Sequence, residues 1–170
     1  WDDGPIPFEE PLEILIGSSE VGGGQLMTDF DTGVPVPVVF NTEIGGVSIY
    51  SNTEPGFVPL GPRNLISAPF GLSDDTIIGM RITEIDPEVR IIFSQGLLSQ
   101  AGDTIDIGAS PFDIHPVWQL SFPSDEIPQP RFVSFVLTTT SGQYEESEEY
   151  TLTIIVVAVS YTHLRAHETS

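Results

Sequence analysis

The chain has 170 residues, of which 25 are acidic and five basic, with no lysine and a formal net charge of −20. Such a surface repels nucleic acid and anionic lipid, because both present phosphates that require Arg or Lys to neutralise them. A hydrophobic fraction of 39% and a mean hydropathy of +0.09 exclude a disordered acidic tail, and no run of about twenty apolar residues offers a membrane-spanning helix. Cysteine is absent, so the core must be large enough to hold without disulfides, which leaves export open.

Residues 1–11 are acidic and proline-rich and read as an irregular lead-in. The chain starts at Trp1 with neither Met nor a signal peptide, so a mature form or a fragment is expected. Residues 12–157 are expected to form a single domain. Leu12–Ile16 is an apolar run ending at Gly17, a strand signal. Ser18–Gln25, with three consecutive glycines at Gly22–Gly24, predicts a flexible turn and not a phosphate loop, since neither a Lys nor a helical pattern follows. Leu26–Phe30 reads as a strand. Val34–Phe40 reads as an edge strand, because Pro35 and Pro37 each remove a ladder donor on one side. After the Gly45-Gly46 turn, Gly46–Tyr50 reads as a strand and Asn52–Phe57 as a turn with Pro55 and Gly56 at its corner. Val58–Ser73, broken by Pro59, Gly61, Pro62 and Pro69, predicts a long ordered loop.

Strands are predicted over Thr76–Ile82 and Val89–Phe93, with a short one over Ile105–Ile107. Three more follow at Val117–Phe122, Phe132–Thr139 and Tyr150–Val157. The Phe132–Thr139 strand is apolar on both faces and is expected to be central. No segment has a helical apolar period. About eight to ten short strands separated by turns predict an all-β fold, an antiparallel β-sandwich of immunoglobulin-like or jelly-roll-like type.

Residues 158–170 are expected to be a tail foreign to the fold. Val159–Thr169, VSYTHLRAHET, reads as the translation of a transposase adapter used in sequencing libraries. His163, Arg165 and His167 therefore take no part in the functional reading.

His115, in the segment Phe112-Asp113-Ile114-His115-Pro116-Val117-Trp118, is then the one histidine to consider, with Asp113 beside it as a second metal-ligand candidate. One imidazole does not make a zinc site, which takes three or four ligands. Asp29 and Asp31 have the spacing of the first two ligands of a calcium loop, without the later ones, and Asp103 and Asp106 flank a glycine-bordered turn. Calcium is the cofactor these pairs allow. Glu145–Glu149 reads as a solvated hairpin tip that discourages edge pairing. Trp118, with Tyr50 and Tyr144, is the candidate platform for stacking a sugar. No Gly-x-Ser-x-Gly elbow is present. A two-carboxylate glycosidase remains as an alternative reading.

Asn52-Thr53-Glu54-Pro55-Gly56-Phe57 resembles the Thr-Asn-Glu-Pro-Gly-Phe-type segment of secreted bacterial proteins that often carry a PEP-CTERM sorting signal. In that group a Phe-x-x-His segment with an aromatic opens a strand, matched here by Phe112, His115, Trp118 and Leu120. A further strand follows, then Thr140-Ser141-Gly142 to Ser147, and then a closing strand from Tyr150. Pro116 and Val117 stand where the group usually has a second His, a departure that argues against a metal role. The resemblance implies export and association with the cell surface, and no particular reaction. The expected function is a structural or adhesive module without catalysis, whose partners are surface polysaccharide or other matrix proteins. A carbohydrate- or calcium-binding module is the alternative.

Overall fold

The structure, a computed structural model, describes residues 13–158. The expectations for residues 1–11 and for the adapter-like tail from Val159 lie outside these residues. None of the described residues is helical. Twelve strands follow one another: β1 Ile14–Glu20, β2 Gly23–Thr28, β3 Val36–Ile44, β4 Val47–Asn52, β5 Phe57–Pro59, β6 Ile77–Ile85, β7 Val89–Phe93, β8 Gly96–Leu98, β9 Thr104–Ala109, β10 Val117–Pro123, β11 Arg131–Thr139 and β12 Tyr150–Val156.

Alternation along the strands sets one face of each against the core. On β10 Trp118, Leu120 and Phe122 point inward, and on β7 Val89, Ile91 and Phe93 do the same. β11 is buried over Val133–Leu137 and lies between β12 and β6, the central place its two apolar faces predict.

The strands do not form the predicted sandwich of antiparallel sheets. Nine of them form one sheet in the order β8-β7-β10-β4-β3-β12-β11-β6-β9, and β2-β1-β5 form a second, smaller one. The large sheet curls until its two ends nearly meet. There the Gln95 amide, in the turn before β8, donates to the carbonyls of Asp106 (2.8 Å) and Ile107 (2.9 Å) on β9. A side chain closes this seam, in place of a backbone ladder. Two pairings, β1 with β5 and β12 with β3, are parallel. Turn residues announce where strands end, not which distant strand each one meets.

β3 also departs from its expected edge position, since it lies between β4 and β12. It changes partner along its length, meeting β12 over Val36–Val38 and β4 over Val39–Ile44. The proline-bearing half therefore has one strand neighbour, and the carbonyl of Pro37 accepts from the Asn52 amide at 2.7 Å. The Pro argument holds locally although the strand as a whole is interior.

The small sheet covers the large one. Ile14, Ile16, Leu26 and Phe57 share one buried cluster with Phe93, Trp118, Met80 and Phe135. Phe57 packs with its ring centroid 6.1 Å from Phe93 and 6.0 Å from Trp118. The loop after β5 is ordered, as its residues predict. Its Phe70 exchanges backbone bonds with Ser18 (2.8 and 2.9 Å), and a Cβ on Gly17 would stand 2.5 Å from the Phe70 oxygen.

The acidic stretch before β12 is not a free tip. Its Glu145 carboxylate is exposed, but the Glu145 backbone bonds Gly24 and Leu26 of β2 at 2.8 and 2.9 Å.

Candidate functional site

Three backbone segments lie side by side at one end of the small sheet. Ile14 donates to the carbonyl of Gly56 at 2.9 Å, and Phe57 and Ile114 exchange bonds of 2.8 and 3.1 Å. This pairing brings together side chains from positions 13, 54, 113 and 115. The turn that carries Glu54 is held by its own residues, since Asn52 Oδ1 accepts from the Glu54 N–H at 3.2 Å.

His115 sits at the centre. Its Nδ1 is 3.0 Å from the carbonyl oxygen of Thr53 and 3.4 Å from Glu54 Oε2. Its Nε2 is 3.0 Å from Asp113 Oδ1 and 3.8 Å from Glu13 Oε1. The ring thus has an oxygen acceptor at hydrogen-bond distance from each nitrogen. His115 is exposed as a residue, with its side chain 32% accessible. Desolvation works to lower its pKa, but the Thr53 carbonyl and the charges of Glu54, Glu13 and Asp113 outweigh this and hold the ring above the ordinary imidazole value. Burial pushes the Glu13 carboxyl up. The neighbouring charges of Glu54 and Asp113 and a hydrogen bond to Glu54 act the same way, against the pull of His115. Glu13 Oε2 is buried and has no hydrogen-bond partner.

Glu13, Glu54 and His115 each offer one ligand atom, and these three atoms lie within 4.8 Å of one another. A cation held there would take one nitrogen and two oxygens from the chain.

The structure brings Asp113 to His115, while Asp31 and Asp103 make local turn bonds. Asp31 Oδ1 accepts from the N–H of Gly33 at 2.8 Å, a local turn bond. Asp29 and Asp31 border a hollow of about 130 Å³ that Glu13 also lines. Asp103 Oδ2 accepts from the N–H groups of Ser99 and Gln100, each at 2.9 Å, and so shapes the turn between β8 and β9. The Asp106 side chain is exposed on β9.

Trp118 corrects the stacking expectation. Its side chain is 0% exposed, and its indole N–H donates to the carbonyl of Pro55 at 2.9 Å. Tyr144 is also buried, its hydroxyl accepting from the Ser73 N–H at 3.0 Å. Tyr50 packs edge-on against Phe40 and Phe122. These three rings form no exposed platform.

Sequence reasoning did not single out Glu13 or the part played by Glu54. Glu54 lies inside the quoted turn, so a partner for it was there to be sought. Glu13 enters only through the parallel pairing of β1 with β5, about forty residues on, which no local pattern announces.

No protein-family model matches the chain, and no curated protein matches it. Among solved structures, the N-terminal domain of PorA is similar over 86% of this chain and 97% of that one, at 14% identity and a TM-score of 0.39.

Proposed function

We propose that the chain is a structural and adhesive module of an exported, surface-associated protein, and that the His115 cluster is an internal fastener, not a catalytic or metal centre. One observation carries the second half of this reading. His115 Nδ1 is hydrogen-bonded to the Thr53 carbonyl at 3.0 Å, and Nε2 makes an ion-pair contact of 3.0 Å with Asp113 Oδ1. With Nδ1–H donated to Thr53, a second proton held on Nε2 by Asp113 and Glu13 makes the ring an imidazolium, which keeps no lone pair to accept a proton or bind a metal. Its charge is then the counter-ion for the surrounding carboxylates. Export and surface association rest on composition and on the resemblance of Asn52–Phe57 and Phe112–Trp118 to secreted proteins. The same two segments close on one another here, through His115 with Thr53 and Glu54, and through Trp118 with Pro55. A motif whose halves fasten each other supports a structural role.

A second reading is favoured by Glu13 Oε2, a buried oxygen with no partner. A divalent cation that displaced the ring proton would satisfy it. One imidazole and two carboxylates suit zinc or manganese better than calcium, which prefers six to eight oxygens.

Nitrogen-15 NMR of the His115 ring near pH 6.5, with and without zinc, manganese or calcium, decides between the two. The fastener reading expects both nitrogens protonated and no metal-dependent rise in melting temperature. A neutral ring, with a stabilisation by zinc that His115→Ala abolishes, overturns it in favour of the cation site. Recovery of the full gene tests export; a cytoplasmic start without signal peptide or sorting tail overturns that part.

A further inference from the structure

The outer face of β6, β11 and β12 carries an open groove of about 500 Å³. Its lining includes Thr83, Glu84, Asp86, Phe132, Ser134 and Thr151. The register explains how these meet. Ser134 stands opposite Glu84 on β6 and opposite Thr151 on β12, and Phe132, two residues earlier, points to the same side as Ser134. Phe132 is 49% exposed, among the hydroxyls and carboxylates of the lining and the apolar Ile85 and Ala101. Its backbone is fixed twice by Asp86: the Phe132 N–H donates to Asp86 Oδ2 at 2.7 Å, and the Asp86 N–H donates to the Phe132 carbonyl at 3.1 Å. The hydroxyls of Ser134 and Thr151 are 2.7 Å apart. No Lys or Arg lines the groove.

We propose that this groove binds a neutral glycan. A hexose ring has an apolar C–H face and a rim of hydroxyls. The face fits an exposed aromatic ring. The rim fits carboxylates, which accept, and Ser and Thr hydroxyls, which accept and donate. Acidic polysaccharides are disfavoured, since the lining has no cation and the chain carries −20. The inference deepens the adhesive half of the proposal above, on which it rests for the class of partner. It is independent of the His115 fastener.

The full chain is titrated calorimetrically with cellohexaose, laminarihexaose and mannohexaose at 0.15 M salt, beside hyaluronan hexasaccharide and spermidine. Saturable binding of at least one neutral hexasaccharide is expected, with none of hyaluronan. Phe132→Ala is expected to weaken binding about tenfold, from the loss of one stacked ring. Glu84→Gln is expected to weaken it less, and both variants should keep the urea midpoint of the parent. Three results overturn the proposal: no neutral sugar binds, Phe132→Ala leaves binding unchanged, or spermidine binds and the sugars do not. None of them alters the ring-protonation result at His115, so the two proposals fail separately.

Discussion

Gly56 lies under the face of the His115 imidazole. A Cβ at position 56 would stand 2.7 Å from Cε1 and 2.8 Å from both Nδ1 and Nε2. Near-equal distances to three ring atoms mean that the flat of the ring covers the backbone, and only displacement of the whole ring relieves the clash. Gly56→Ala must therefore lift the ring off the turn and away from Thr53 and Glu54. The expected cost is about 1–3 kcal/mol, the range for overpacking a filled site. Once His115→Ala has removed the ring, the same Gly56→Ala change should cost much less. A double-mutant cycle by urea denaturation measures this coupling, and simple additivity would show that the two residues do not meet.

Trp118 and Pro55 make the second link between the same segments. Removing the indole N–H in Trp118→Phe leaves the Pro55 carbonyl buried without its donor, a loss of about 1–3 kcal/mol. Trp118→Ala adds a large cavity beside Phe57 and is expected to cost about 3–5 kcal/mol. Because the ring is sealed in the core, Trp118→Phe should leave glycan binding untouched, in contrast to Phe132→Ala. Chemical denaturation with parallel calorimetry separates the two rings.

The contrast between these two aromatics shows what the sequence made legible. The strand holding Trp118 was readable from alternation, and Val89–Phe93 is β7 to the residue. Alternation also puts an aromatic on the hydroxyl-bearing side of β11, where Phe132 shares a face with Ser134 and Thr138. That was the available sign of an exposed ring. Its value was hidden by the apolar residues on both faces of the strand. β8, with three residues, is too short for a period to show. Partner choice was the least legible property. The parallel meetings of β1 with β5 in the small sheet and of β3 with β12 inside the large one join strands far apart in the sequence, and Glu13 reaches His115 only through the first of them.

Arg81 and Glu146 form a two-pronged pair, with nitrogen–oxygen distances of 2.8 and 2.9 Å. The hydrogen bond and charge of Arg81 hold the Glu146 carboxyl below its ordinary value of 4.5. A carboxyl whose folded value is depressed stabilises the fold above its unfolded value, and loses that contribution as the pH falls through the folded one. Both side chains are well exposed, at 38% and 52%, so solvent screens the pair. Arg81→Ala is expected to cost under about 1 kcal/mol at neutral pH, less in high salt, and nothing once Glu146 is protonated. Urea midpoints of parent and variant at pH 7 and pH 3 should converge at the lower pH; a gap that persists there would assign the effect to packing of the Arg81 stem.

The His115 cluster predicts the opposite trend on the alkaline side. The folded ring holds its proton more tightly than the ordinary imidazole value of 6.5. A group with a raised folded value contributes fully below its unfolded value and is lost as the pH rises through the folded one. The raised Glu13 carboxyl has the same sign, its contribution being lost as the pH rises above its ordinary value of 4.5 and so on the acid side of the His115 window. Stability should therefore fall as the pH is raised from about 6 to 9, a window in which exposed carboxylates are already ionised and leave the background flat. His115→Ala should be less stable than the parent at pH 6 and should lose most of the slope. Asp113→Asn, which keeps an acceptor near Nε2 but removes a charge, should reduce the slope without abolishing it. Urea midpoints at half-unit pH steps give the three curves. A parent midpoint that stays level or climbs across this window would mean that the ring is not held as a cation between Thr53 and Asp113.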